Sequence, residues 1–97
     1  MAERYAACAK AFGLTAAAPR LVVRPMNKRW GSLPAGSCTL TLNTRLVEAP
    51  VDLIDYVIMH ELCHIRHPHH GPAFLDDLTI RMPDWRERKR KLERFML

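Results

Sequence analysis

All five histidines of this 97-residue chain lie between positions 60 and 70. Such a cluster is a costly way to build a protein core, because neutral imidazoles need polar partners and charged imidazoles repel one another. It is a natural arrangement for a metal site, since imidazole is a common ligand of zinc and related ions. We therefore expect a fold in which this short segment presents several imidazoles to one point.

Two of these histidines, His60 and His64, enclose Glu61 in an H-E-x-x-H motif on a predicted helix. Residues four apart lie on one face of a helix, so both rings can reach a single zinc ion. Glu61 lies about 100° around the helix, beside the metal, where it can accept a proton from water without acting as a ligand. The motif predicts a hydrolase that activates water at a metal.

A third ligand must come from beyond this helix, because a catalytic zinc site usually has three protein ligands and water. We favour His70, since the proline that follows His67 ends the helix and permits a chain reversal. His67 and His69 are alternative ligands, although exposed loop positions with at most a role near the scissile carbonyl suit them better. The carboxylates of Asp76 and Asp77 are further alternatives.

The rest of the sequence predicts an α+β fold with a small antiparallel sheet or hairpin packed on the active-site helix. An alanine-rich helix should end at Gly13, whose missing Cβ suits a helix C-terminus. Short β-branched or alternating runs predict the strands. The predicted helices cover residues 3–12, 51–66, 73–81 and 85 to the end, and the predicted strands cover residues 21–24 and 39–42.

Apolar side chains recur at helical spacing along the predicted helix over residues 51–66. On a helical wheel they form one stripe, opposite the two histidines of the motif, and this stripe should face the core. Its members are Val51, Ile54, Ile58, Leu62 and Ile65.

Several blocks of sequence together resemble the YgjP-like metallopeptidase domain family of metal-dependent hydrolases, which is related to SprT-like and minimal zincin domains. In chain order the blocks are Arg29-Trp30-Gly31-Ser32, Thr41-Leu42-Asn43, Val57-Ile58-Met59-His60-Glu61-Leu62-Cys63-His64, His70-Gly71-Pro72-Ala73-Phe74 and Pro83-Asp84. The resemblance covers nearly the whole chain and keeps the order of the motifs.

The resemblance implies a minimal zincin-like fold, with an N-terminal helix, a small sheet, the active-site helix and two C-terminal helices. It implies Zn²⁺ held by His60, His64 and His70, with Glu61 as general base and a peptide or protein as substrate. In the mechanism that follows, a strand within residues 38–43 would pair with the extended substrate.

The other residues of the family blocks are open to two interpretations. Arg29, Trp30 and Asn43 either contact the substrate or support the structure. We favour support for Arg29 and Trp30, with the indole as a packing group and the guanidinium as a donor to a carboxylate or to carbonyls.

Length and composition limit the remaining possibilities. The chain fits one domain over residues 1–97, and its first helix begins so early that it could be the C-terminal part of a longer protein. We expect no membrane segment and a cytoplasmic location, because neither a long apolar run nor a signal-peptide pattern is present. The scattered Cys8, Cys38 and Cys63 predict reduced thiols rather than a disulfide framework or a cysteine metal site.

Basic residues dominate the last predicted helix of a chain whose formal net charge is +5. We expect Trp85, Leu92, Phe95 and Met96 to dock this helix and leave a solvated basic face. A weak nucleic-acid contact through that face is the alternative.

Two other functions fit the sequence: a zinc-stabilised nucleic-acid-binding module without turnover, and a hydrolase of a non-peptide amide. The sequence does not indicate the oligomeric state.

Overall fold

The computed structural model describes residues 1–14 and 18–96, the last of these in its backbone only. Four α-helices and three short strands make an α+β fold, which confirms the predicted class. A 3₁₀ helix over Thr44–Glu48 precedes the second α-helix. The elements in chain order are α1 Ala2–Phe12, β1 Arg20–Arg24, β2 Gly31–Ser32, β3 Thr39–Asn43, α2 Val51–Cys63, α3 Pro72–Arg81 and α4 Trp85–Met96.

Gly13 ends α1 at the predicted position. Its φ of 97° lies in the left-handed region, which is open to glycine at no steric cost. The Gly13 N–H turns back to the carbonyls of Ala9 and Lys10, so the last turn of the helix keeps its hydrogen bonds.

The sheet is mixed, and the prediction of an antiparallel sheet holds only for part of it. The strand order is β1-β3-β2, with β2 antiparallel to β3 as in a hairpin and β1 parallel to β3. The connection from β1 to β2 passes across the end of β3, where Asn43 is 1% exposed. Its Nδ2 donates to the carbonyls of Met26 and Arg29, which holds this crossing segment in place. Short-range strand patterns carry no sign of such a crossing.

α2 lies at the centre of the molecule and is buried on more than one face. The sheet strand β2 and the three other α-helices all pack against it. Ile54, Ile58 and Leu62 of the predicted stripe are buried. Val51 and Ile65 were wrongly assigned to the core: they are 54% and 44% exposed. Val51 is the first residue of the helix and Ile65 lies beyond its last residue, Cys63, so both are at the ends of the predicted stripe.

α4 docks on the body of the molecule through its apolar side chains, as predicted. Trp85 and Leu92 are buried, and Phe95 is partly buried against the core. The indole N–H of Trp85 donates to Thr79 Oγ1 over 2.9 Å. The predicted contribution of the Met96 side chain lies outside the described residues. None of the described helices combines the length and the apolar character needed to cross a membrane.

The three cysteine thiols are all free and differ in burial. Cys8 and Cys63 are buried, whereas Cys38 is exposed. Burial raises the pKa of Cys8 to about 12 and that of Cys63 to about 11, so neither is a reactive thiolate at pH 8.

We expect a colorimetric thiol reagent to modify one cysteine rapidly in the native protein and three after denaturation. Cys38→Ser should abolish the rapid phase, and three equally fast thiols would contradict this burial pattern.

Candidate metal centre

The end of α2 presents the H-E-x-x-H histidines on one face. His60 lies in the last turn and His64 caps the helix with helical dihedral angles (φ −66°, ψ −17°). The helical geometry therefore continues through the whole motif. As expected for residues four apart, the two rings lie side by side, with centroids 5.3 Å apart.

His70 reaches the same point from the loop that follows α2. Its Nε2 lies 2.9 Å from Nε2 of His64, and its ring centroid lies 5.1 Å from that of His60. One ligand nitrogen from each of the three histidines lies within 4.8 Å of the others. Two nitrogens bound tetrahedrally at about 2.05 Å from zinc would be roughly 3.3 Å apart, so the spacing suits a single small cation.

The protonation of two of the three rings, His60 and His64, also fits a metal ion. Burial, followed by the neighbouring imidazoles, lowers the pKa of His60 to about 4. Burial lowers the pKa of His64 as well. Both rings are thus neutral at pH 7, the form that binds metals. The buried Nδ1 of His60 has no hydrogen-bond partner among the described residues, so nothing in that part of the chain competes for this ring.

The alternative third ligands have other positions. The His67 ring contacts the Asp77 carboxylate, with Nε2 3.2 Å from Oδ2. Asp77 also pairs with a helix neighbour, and both His69 and Asp76 are exposed. Among the described residues, the cluster of possible ligands contains only the three histidines at 60, 64 and 70.

Glu61 lies beside this cluster in a tightly packed place. Burial raises its pKa to about 7, against the opposing effects of a hydrogen bond from the Leu33 backbone and of the Arg29 charge. A carboxyl group with such a pKa can both accept and release protons near neutral pH. A Cβ on Gly31 would lie 3.2 Å from Glu61 Cγ, so β2 and α2 approach closely at the carboxylate.

Phe74 supports the three imidazoles from the first turns of α3. Its side chain is 1% exposed. The ring centroids of His60, His64 and His70 lie 5.1, 4.7 and 4.8 Å from that of Phe74. Edge-to-face and tilted contacts of this kind are favourable and hold the rings laterally. Sequence analysis named Phe74 only as part of a family block and assigned it no role.

A cavity of about 560 Å³ opens over the histidines and Glu61. The segment from Arg29 to Ala35 forms part of its wall, and α4 forms another part. The lining residues that sequence analysis did not assign to the site include Tyr56 on α2 and Lys89, Leu92 and Glu93 on α4. The position of Tyr56, one turn before His60, could have indicated it, whereas the residues on α4 depend on a contact distant in sequence.

The other family-block residues divide between support and the cavity wall. Asn43 is buried and braces the crossing segment, with its Oδ1 also accepting from the Arg45 N–H. Trp30 packs against Phe95, with ring centroids 6.1 Å apart, and also lines the cavity. Arg29 is exposed and lines the cavity near Glu61.

The strand that borders the cavity is β2, not the strand over residues 38–43. β3 lies in the middle of the sheet, with β1 along all of it on one side and β2 beside Thr41 and Leu42 on the other, and none of its residues lines the cavity. The expectation that β3 pairs with a substrate was therefore wrong. Gly31 and Ser32 of β2 line the cavity, and β2 pairs with β3 on its other side.

Comparison with known proteins gives one family and a set of similar folds. The model of the YgjP-like metallopeptidase domain matches residues 1–95. The metallopeptidase zymogen jannalysin of Methanocaldococcus jannaschii superposes with a TM-score of 0.85 at 22% identity, covering 99% of this chain and 89% of that one. The metallopeptidase zymogen abylysin of Pyrococcus abyssi gives a TM-score of 0.80 at 14% identity, covering 94% and 90%. At these identities the likeness shows a shared fold, and no curated protein matches the chain.

Proposed function

Because the chain belongs to the YgjP-like metallopeptidase family, we propose that it is a zinc-dependent peptidase whose ligands are His60, His64 and His70. The observation that carries this proposal is the convergence of the three imidazoles of His60, His64 and His70 in the lining of an open cavity. Among the described residues no fourth side chain completes the ligand cluster. A structural zinc site is closed by four protein ligands, so this arrangement favours the enzyme over a zinc-stabilised module without turnover.

Bound zinc would lower the pKa of a coordinated water and polarise the scissile carbonyl. Glu61 is the general base: its carboxylate accepts the proton from water and passes it to the leaving amine. The Leu33 N–H and the Arg29 charge favour the ionised carboxylate, and burial favours the protonated one. Glu61 can therefore exist in both forms that proton transfer requires.

The edge of β2 orients the substrate in this proposal. An extended peptide that adds to Gly31–Ser32 would lie along the cavity and over the histidines. Gly31 leaves no room for a side chain at this point, since a Cβ there would approach Val57 and Glu61 to 3.1 and 3.2 Å. A sheet edge recognises a peptide backbone, which favours a peptide over another amide as substrate.

Cleavage of a degenerate peptide mixture by the zinc-loaded chain, followed by mass spectrometry, tests the proposal. We expect cleavage that a zinc chelator abolishes and added zinc restores. His64→Ala should lose both zinc and cleavage. Zinc-loaded protein that leaves every peptide intact, but hydrolyses a small non-peptide amide, would favour that alternative reaction.

The exposed face of α4 suggests a second candidate function, contact with nucleic acid. Arg86, Arg90 and Arg94 recur every fourth residue, are exposed, and take part in no ion pair among the described residues. Like charges at this spacing repel one another, which favours a polyanion as partner. The three side chains form one row along the helix.

Salt dependence distinguishes this contact from a solvated helix face. We expect duplex DNA to bind at low salt, and changing all three arginines to Gln to reduce the salt slope by about 2 to 3, roughly one per lost phosphate contact. The control is a variant with the same change of net charge elsewhere on the surface, in which the exposed residues Lys10, Arg20 and Arg24 are changed to Gln. Absence of binding at 50 mM salt, or an equal effect of the control, would contradict the contact.

A further inference from the structure

A chain of hydrogen bonds connects the candidate ligand His64 to α3. Nδ1 of His64 lies 3.1 Å from the carbonyl oxygen of His67, so the ring donates its proton there and leaves Nε2 free to face His70. The ring of His67 in turn contacts Asp77, with Nε2 3.2 Å from Oδ2. His67 therefore contacts His64 through its backbone and Asp77 through its side chain.

The Asp77 carboxylate is itself held firmly. Its other oxygen, Oδ1, accepts from Nε of Arg81 over 2.7 Å, one turn further along α3. The Arg81 guanidinium lies 3.9 Å from the ring centroid of Phe12 and donates to the Phe12 carbonyl. Asp77 and Arg81 are only 16% and 18% exposed. A charge pair so shielded from water keeps its geometry better than one at the surface.

The loop between α2 and α3 needs such an anchor because it carries a candidate ligand. His69 and His70 in this loop are exposed, whereas His67 is half-buried against Asp77. Without that contact, the His67 carbonyl would be free to turn away from His64. The partner of the second ring nitrogen fixes both the tautomer and the orientation of a metal-binding histidine.

We propose that Asp77 is a positioning residue for the metal centre: through the His67 ring it fixes the carbonyl that orients His64. The inference rests on the proposed function, in which His64 is a metal ligand. Neither Asp77 nor His67 contacts the ion in this proposal, and both act through the position of another residue.

Zinc affinity, measured by competition with a chromophoric chelator, tests the proposal without an activity assay. We expect Asp77→Ala and His67→Ala each to weaken zinc binding by about 10- to 100-fold, as for other residues that orient metal ligands. The double variant should bind zinc no more weakly than the single variant with the lower affinity, because both changes break the same connection. His67→Gln, whose amide can donate to Asp77, should recover most of the lost affinity.

Asp84→Ala is the matched control. Asp84 also pairs with an arginine four residues later, Arg88, but the pair lies at the start of α4 and Asp84 is 58% exposed. We expect the zinc affinity of Asp84→Ala to equal that of the unaltered chain. Thermal unfolding of each metal-free variant should show that the loss of affinity exceeds any loss of stability.

Unchanged zinc affinity in Asp77→Ala would overturn the proposal, as would an equal loss in Asp84→Ala or a double variant in which the two effects multiply. Failure of the unaltered chain to bind zinc would instead overturn the proposed function, and this inference with it. Zinc binding by the unaltered chain that is insensitive to Asp77 overturns the positioning role alone.

Discussion

Glu61→Gln should retain zinc while hydrolysing peptides about 100- to 10,000-fold more slowly than the unaltered chain. Gln has nearly the same size and keeps an oxygen that can accept the hydrogen bond from the Leu33 backbone. It cannot accept a proton at neutral pH, so only the role of general base is removed. The expected loss corresponds to about 3–5 kcal/mol in the activation free energy.

Two measurements on the same preparation of Glu61→Gln distinguish a general base from a metal ligand. Elemental analysis gives the zinc content, and the rate on the degenerate peptide mixture gives the turnover. A variant that hydrolyses at the original rate would contradict Glu61 as the base. A variant that loses stoichiometric zinc would show that the carboxylate is a ligand, which is a different division of roles.

Phe74→Ala should both destabilise the fold and weaken the metal centre. The ring is 1% exposed, and removal of such a side chain costs about 3–5 kcal/mol. The loss is large beside the roughly 5–15 kcal/mol that stabilises a domain of this kind. Since Phe74 contacts all three histidine rings, its removal also leaves them without lateral support.

Leu78→Ala separates these two effects of the Phe74 change. Leu78 lies one turn further along α3 and is also fully buried, so its truncation should cost about 2–5 kcal/mol. We expect both variants to unfold at lower temperature in the metal-free state, and only Phe74→Ala to bind zinc more weakly per folded molecule. Equal zinc affinities in the two variants would contradict the supporting role of Phe74.

Local chemistry explains which parts of the fold were predictable. The end of α1 follows from the backbone freedom of Gly13, and the two-histidine face of α2 follows from helical spacing. The candidate third ligand, His70, depends on a chain reversal that the proline after His67 makes possible. Each of these features is decided within a few residues of sequence.

Features that join distant segments were not predictable from local patterns. The parallel pairing of β1 with β3 depends on the crossing segment that Asn43 holds. The cavity wall formed by α4 depends on docking of that helix over α2. The contact between His67 and Asp77 joins two residues that sequence analysis considered separately as alternative ligands and did not connect.

X-ray absorption spectroscopy at the zinc edge tests the central claim most directly, because it counts and identifies the atoms around the ion. We expect one zinc per chain, bound by three imidazole nitrogens at about 2.0–2.1 Å and one further oxygen from water. A first shell that contains sulfur, or four protein ligands, would contradict an open catalytic centre formed by His60, His64 and His70.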